Sequence, residues 1–193
     1  MPLFQHLRSA IDLLKPWQGY YAICGGIAAC LYRETPRFTG DIDIALIDPP
    51  QHRARDIAQE ILLKLGFDPK LGFVADQHGR LIEEVALVAG REEKPGAYAG
   101  IDLIMPVLPW ISAAVERAQH NLLNYGFAEV ATVIPEDLII AKLFAYQGTP
   151  DRKHDLDDML SILKFRKDLD LRLITELITL YQLRVPREIA EFL

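Results

Sequence analysis

Cysteine is scarce in this 193-residue chain: Cys24 and Cys30 lie six positions apart, with no further cysteine and no spaced histidines to complete a metal-binding set. That scarcity excludes a disulfide framework and a zinc-finger type of centre. Cys24 falls in an apolar run and Cys30 in a predicted helix, so both are expected as reduced, buried thiols. Long apolar stretches are also missing, and none reaches the roughly 18 residues of a membrane span. The opening segment MPLFQHLRSAIDLLKPW is interrupted by Arg8, Asp12 and Lys15. It has no signal-peptide layout and reads as one face of a helix, so a cytoplasmic protein is expected. Strong charge of one sign is absent too. A net charge of −6 argues against a surface coated in nucleic acid, while leaving room for a local basic pocket. No repeat, low-complexity segment or linker is visible.

The chain does contain a regular alternation of elements. Leu3 to Leu14 predicts an amphipathic helix closed by Pro16, and YYAIC (Tyr20 to Cys24) a short strand ending at Gly25-Gly26. IAACLYRE predicts a short helix. DIDIALI alternates with period two, so Asp41 and Asp43 share one face, while Ile42, Ile44 and Leu46 share the other. HRARDIAQEILLKLGF predicts a helix ending at Gly66. GFVADQ and LIEEVALVA predict strands joined by a hairpin at His78-Gly79. REEKPGAYAG reads as a polar loop, IDLIM as a strand bearing Asp102, WISAAVERAQ as a helix and AEVATVI as a last strand. From Pro135 onward only helices are predicted: PEDLIIAKLFAYQ, TPDRKHDLDDMLSIL and DLDLRLITELITLYQL. The expected fold is α+β with an α/β-like core over residues 1–134, and a helical part, residues 135–193, packed on it.

The chemistry concentrates between Gly25 and Asp102. Glycines where a strand gives way to a helix let backbone N–H groups approach a phosphate, and the helix N-terminus favours negative charge. Two carboxylates at i and i+2 on a strand can ligate a divalent cation without bending the backbone. Mg²⁺ takes a few such oxygens and completes its shell from water and substrate phosphates. Two ions can activate an attacking oxygen and stabilise the leaving one. Asp102, on another strand, is the natural third carboxylate. A Gly-Gly pair alone is usually a turn, and a lone Asp-x-Asp is usually a solvated strand face. The order of strand, Gly-Gly, helix, Arg-Thr-containing turn, Asp-x-Asp strand and distant Asp strand is far more specific.

GG followed by TGDIDIAL resembles the active-site signature of the DNA polymerase beta-like nucleotidyltransferase superfamily. VIPEDLIIAKLFAYQGTPDRKHDLDDMLSIL resembles the C-terminal signature of its AbiEii (abortive-infection toxin) branch and bacterial relatives. Together these cover about Tyr20 to Leu163. The resemblance implies a nucleotidyltransferase-type mixed sheet flanked by helices, two Mg²⁺ ions and a nucleoside triphosphate substrate. It implies that Gly25, Gly26 and Thr39 bind the nucleotide, that Asp41 and Asp43 bind metal, and that Asp102 serves as third acid, as ligand or general base. Lys142 would reach the triphosphate as a point charge. Arg152, Asp155 and Asp158 would complete the nucleotide site, with Lys153 beside them. The acceptor would be a hydroxyl of an RNA or tRNA end, a protein side chain or a small molecule, and the partner an antitoxin protein. The alternative is a catalytically inactive protein of the same fold that binds nucleotide or a partner protein. Arg33 and Arg37 read equally as phosphate ligands or surface charges. Lys142, Arg152, Lys153, Lys164, Arg166 and Lys167 are the candidates for a local RNA patch. The chain departs from the pattern in having Gly26 where many relatives carry serine, and His154 where they often carry lysine. It is also short for the toxin branch and lacks that branch's long C-terminal helical domain.

Overall fold

The period-two pattern of Asp41–Leu46 decides how the molecule is layered. In the computed structural model, which describes residues 2–75, 81–91, 100–148 and 152–193, this segment is strand β2, flanked by β1 (Tyr21–Ile23) and β5 (Gly100–Ile104). With β3 (Lys70–Ala75) and β4 (Leu81–Arg91) they form a five-stranded sheet of order β1-β2-β5-β4-β3. β2 and β5 run parallel, and every other pair is antiparallel. The strand assigned to GFVADQ starts earlier, at Lys70. The His78-Gly79 turn and most of the polar loop that precedes β5 lie outside the described residues.

One sheet face carries Ile23, Ile42, Ile44, Leu46, Ile101 and Leu103, all fully buried. They pack under α1 (Pro2–Leu14) and α3 (Ala54–Lys64), whose Leu7, Leu14, Ile57 and Leu62 supply the apolar stripes. The opposite face carries Ala22, Ala45 and the three aspartates. Small residues there let α2 (Gly25–Tyr32) and α4 (Ile111–Ala118) pack closely, the latter through Ala114 and Ala118.

Helices α5 (Pro135–Gly148), α6 (Lys153–Phe165), α7 (Leu171–Leu180) and α8 (Arg187–Ala190) join this second layer. Leu138, Ile139, Leu143, Met159, Ile162, Ile174 and Ile189 form one apolar cluster with α2 and α4. The final predicted strand shortens to β7 (Glu129–Ala131), which pairs with β6 (Leu122–Asn124). The isolated Ile23–Thr132 bridge ties this ribbon to the edge of the main sheet. β6 and α8 carry no pattern that sequence reading picked up: β6 is three residues long and half exposed, and α8 is a single turn. Cys24 is buried, Cys30 is partly so, and both are free thiols. Among the described residues no helix is long and apolar enough to cross a membrane.

Candidate active site

Parallel pairing of β2 with β5 brings the three aspartates together. Asp43 and Asp102 are register partners, which sets their backbones about 4.8 Å apart with side chains on the same face. Asp41 lies two residues back along β2 on that face, where Thr39 Oγ1 donates to its Oδ1 at 2.9 Å. Asp102 is gripped from β4: the guanidinium of Arg91 binds both carboxylate oxygens through Nη1 and Nη2. Among the described residues, Asp41 and Asp43 have no ion-pair partner, and the excess negative field falls on Asp43. Burial, then the charges of Asp41 and Asp102, push its carboxyl up to about 7.

This chemistry bears on the metal. Among the described residues no three carboxylate, imidazole or thiolate groups are gathered as a ready-made cation cage, and Asp102 is bound by Arg91. The uncompensated pair Asp41–Asp43 nevertheless fits Mg²⁺, which needs only one or two carboxylates beside water and substrate phosphates. Bound there, a divalent cation would supply the positive charge that Asp43 lacks.

The glycines are dictated by the aspartates. Gly25 and Gly26 open α2 itself, rather than ending the strand before it. Gly25 has φ +59°, and a Cβ there would sit 1.8 Å from Asp43 Oδ2. A Cβ on Gly26 would sit 2.2 Å from Thr39 Oγ1. The Gly26 N–H donates to Asp43 Oδ2 at 3.3 Å. The helix start, with its unsatisfied amides, is thus pressed against the acidic strand. Thr39 fills the space that the side chain of a serine at position 26 would enter.

A second charged cluster lies behind the glycines. Lys142 on α5 is 5% exposed, yet it lines the cleft. Its Nζ lies 2.9 Å from Asp155 Oδ1 and 2.7 Å from Asp158 Oδ2. Its own helix offers it only apolar neighbours, so its polar company comes from α6. Asp158 is fully buried and also binds Arg37 Nε and Nη2 at 2.8 and 2.7 Å and Arg33 Nη1 at 2.5 Å. Burial alone would raise its pKa. The hydrogen bonds from Arg37 and the charge of Lys142 outweigh that and hold the carboxyl at about 2. Asp158 therefore sits outside the cleft lining, bound to Arg37 and Lys142, which do line it. Arg33 and Arg37 resolve in the same way, as partners of Asp158. Arg152 Nε pairs with Asp155 Oδ2 at 2.6 Å.

The cleft between these clusters has a volume of about 850 Å³. Gly25, Gly26, Arg37, Thr39, Asp41, Asp43, Asp102, Lys142, Arg152 and Asp155 all line it; of the residues singled out from the sequence, Arg33, Asp158, Lys164, Arg166 and Lys167 do not. Lys153 and His154 close the basic wall, and Ile104, Leu108 and Trp110 form an apolar one. The proposed RNA patch does not hold together. Lys153 opens α6, while Lys164, Arg166 and Lys167 lie at or beyond its other end, roughly 20 Å away for 13 residues. Arg166 is engaged with Asp168 at 2.6 Å. Arg91 escaped sequence reading, since it belongs to no motif and its contact with Asp102 exists only through β4–β5 pairing. The acids of PEDL lie in the first turn of α5 and also bind neighbouring elements: Glu136 Oε1 accepts from the Asp170 N–H at 2.8 Å, and Asp137 binds Arg117 at 2.6 and 2.8 Å.

An Asp-x-Asp strand, a glycine-started helix against it and a third aspartate on the adjacent parallel strand define a nucleotidyltransferase. The fold is similar to that of the antibiotic-resistance factor ANT(2'')-Ia, at TM-score 0.54 and 16% identity over 92% of this chain and 90% of that one. An antigenic nucleotidyltransferase-like protein from Paracoccidioides brasiliensis is similar at 20% identity and TM-score 0.49, over 92% and 88% of the two chains. No curated protein matches in sequence. The chain belongs to the family described as nucleotidyl transferase AbiEii toxin, Type IV TA system, whose profile matches residues 12–191.

Proposed function

We propose that this enzyme is a Mg²⁺-dependent nucleotidyltransferase that acts in the cytoplasm as the toxin of a toxin–antitoxin pair. It would move a nucleotidyl group from a nucleoside triphosphate to an acceptor hydroxyl. The observation that carries this is the uncompensated Asp41–Asp43 pair, held against the Gly25–Gly26 helix start with Asp102 alongside. The bound cation would neutralise phosphate charge and polarise the reacting phosphoryl group. The α2 N-terminus and the wall of Lys142, Arg152 and Lys153 would hold the triphosphate. The acceptor oxygen would bond to the α-phosphorus as the bond to the bridging oxygen breaks, releasing pyrophosphate. Asp102 would accept the acceptor's hydroxyl proton: a carboxylate offers about four lone-pair sites, and Arg91 fixes its orientation using two of them.

The test is incubation with each α-labelled nucleoside triphosphate and Mg²⁺, with total RNA, cell protein or aminoglycosides as separate acceptors. Label is expected on one acceptor class, and Asp41→Ala, Asp43→Ala and Asp102→Ala should abolish it. Equal labelling by wild type and the aspartate variants would sink the proposal. The Arg91 grip on Asp102 favours one other reading, a non-catalytic binder of nucleotide or a partner protein. Tight nucleotide binding indifferent to Mg²⁺, with no pyrophosphate released, would establish it.

A further inference from the structure

Phe38 is the most exposed large apolar side chain among the described residues, at 73%. It lines the cleft mouth three positions before Asp41. Its neighbours in sequence are both engaged. Arg37 Nη1 donates to the Phe38 carbonyl at 2.9 Å while Nε and Nη2 of the same guanidinium are locked on buried Asp158. On the other side, Thr39 is tied to Asp41 at 2.9 Å. The ring itself is exposed beside the proposed phosphate cradle. Arg152, Lys153 and His154 also line this cleft, and their cationic groups suit a phosphate. An aromatic face exposed to water beside phosphate-binding groups is the arrangement on which nucleobases stack, and such stacking tolerates any base because every base has a π-face.

We propose that Phe38 is a stacking platform for a nucleobase in this cleft. This rests on the reading of the cleft as a nucleotide site and adds a residue that no motif assigns. The base belongs either to the nucleoside triphosphate or to the terminal nucleotide of an RNA acceptor, and the experiment tells them apart.

Full-length wild type, Phe38→Ala, Phe38→Leu and Phe38→Trp would be titrated by calorimetry with a non-hydrolysable nucleoside triphosphate analogue, with a short single-stranded RNA and with inorganic tripolyphosphate. Because the ring is exposed, all four proteins should melt alike. Phe38→Ala is expected to weaken one nucleobase-bearing ligand by between about fivefold and a hundredfold. Phe38→Trp should restore binding, Phe38→Leu should not, and tripolyphosphate affinity should stay constant. Loss confined to the analogue assigns the base to the triphosphate, and loss confined to the RNA assigns it to the acceptor. Unchanged affinity for both, full rescue by leucine or a parallel loss of tripolyphosphate binding would overturn the proposal while leaving the nucleotide site standing. If wild type binds neither the analogue nor tripolyphosphate, the nucleotide-site reading fails and the proposal falls with it.

Discussion

At the scale of single residues, Asp158 is a buried charge that gathers cations behind the cleft without lining it. Three cations converge on it, and removing one partner of a buried charge cluster leaves the others uncompensated. Asp158→Ala is expected to cost about 3–5 kcal/mol, which for a chain of this size is a fall of roughly 10 °C in melting temperature. Its pKa is held at about 2, below the ordinary 3.8. Stability from this carboxylate is therefore complete above pH ~4 and is lost as pH falls from there towards 2. Asp158→Asn should flatten that acid limb in melting curves. Acid dependence identical to wild type would show that the cluster does not work this way.

Elements show the same economy. The start of α2 must touch β2, and only glycines permit it. Gly25→Ala places a methyl group on Asp43 and forces a side chain into left-handed backbone, worth roughly 1–2 kcal/mol by itself. The substitution should therefore shift Asp43, and loss of nucleotide affinity should exceed loss of stability; a variant that melts early but binds normally would contradict this. The start of α5 serves the fold: Asp137 anchors Arg117 of α4. Asp137→Ala should lower stability by roughly 1.5–3 kcal/mol, with nucleotide affinity unchanged in a titration well below the melting point.

For the whole molecule, the sheet's two faces have different tasks. One is a purely apolar layer under α1 and α3. The other carries the acids, and its helices share a continuous core that runs from α2 and α4 into α5, α6, α7 and α8. Residues 1–134 alone would leave the α2 side of this core, with Ala28 and Ala29, without the α5 and α6 helices packed on it. That fragment is expected to lose near-ultraviolet circular dichroism and bind hydrophobic dye, as a loosely packed state does. A sharply melting fragment would show that the helical part is a separate unit.

Local pattern made much of this legible. Period-two alternation put Asp41 and Asp43 on one face, helical periodicity marked the long helices, and the order of Gly-Gly, Asp-x-Asp and Asp102 named the chemistry. What escaped depends on pairing between distant segments. Arg91 meets Asp102 only because β4 and β5 are antiparallel neighbours. Lys142 finds its partners on another helix, and Arg33 and Arg37 turn inward because α6 presents Asp158 to them. The sequence by itself determined which residue types face which side of each element, since that follows from backbone period. The tertiary structure decided which charges are neutralised and which stand open. That depends on distances across the fold, which no single element contains, and it leaves Asp41 and Asp43 without an ion-pair partner among the described residues.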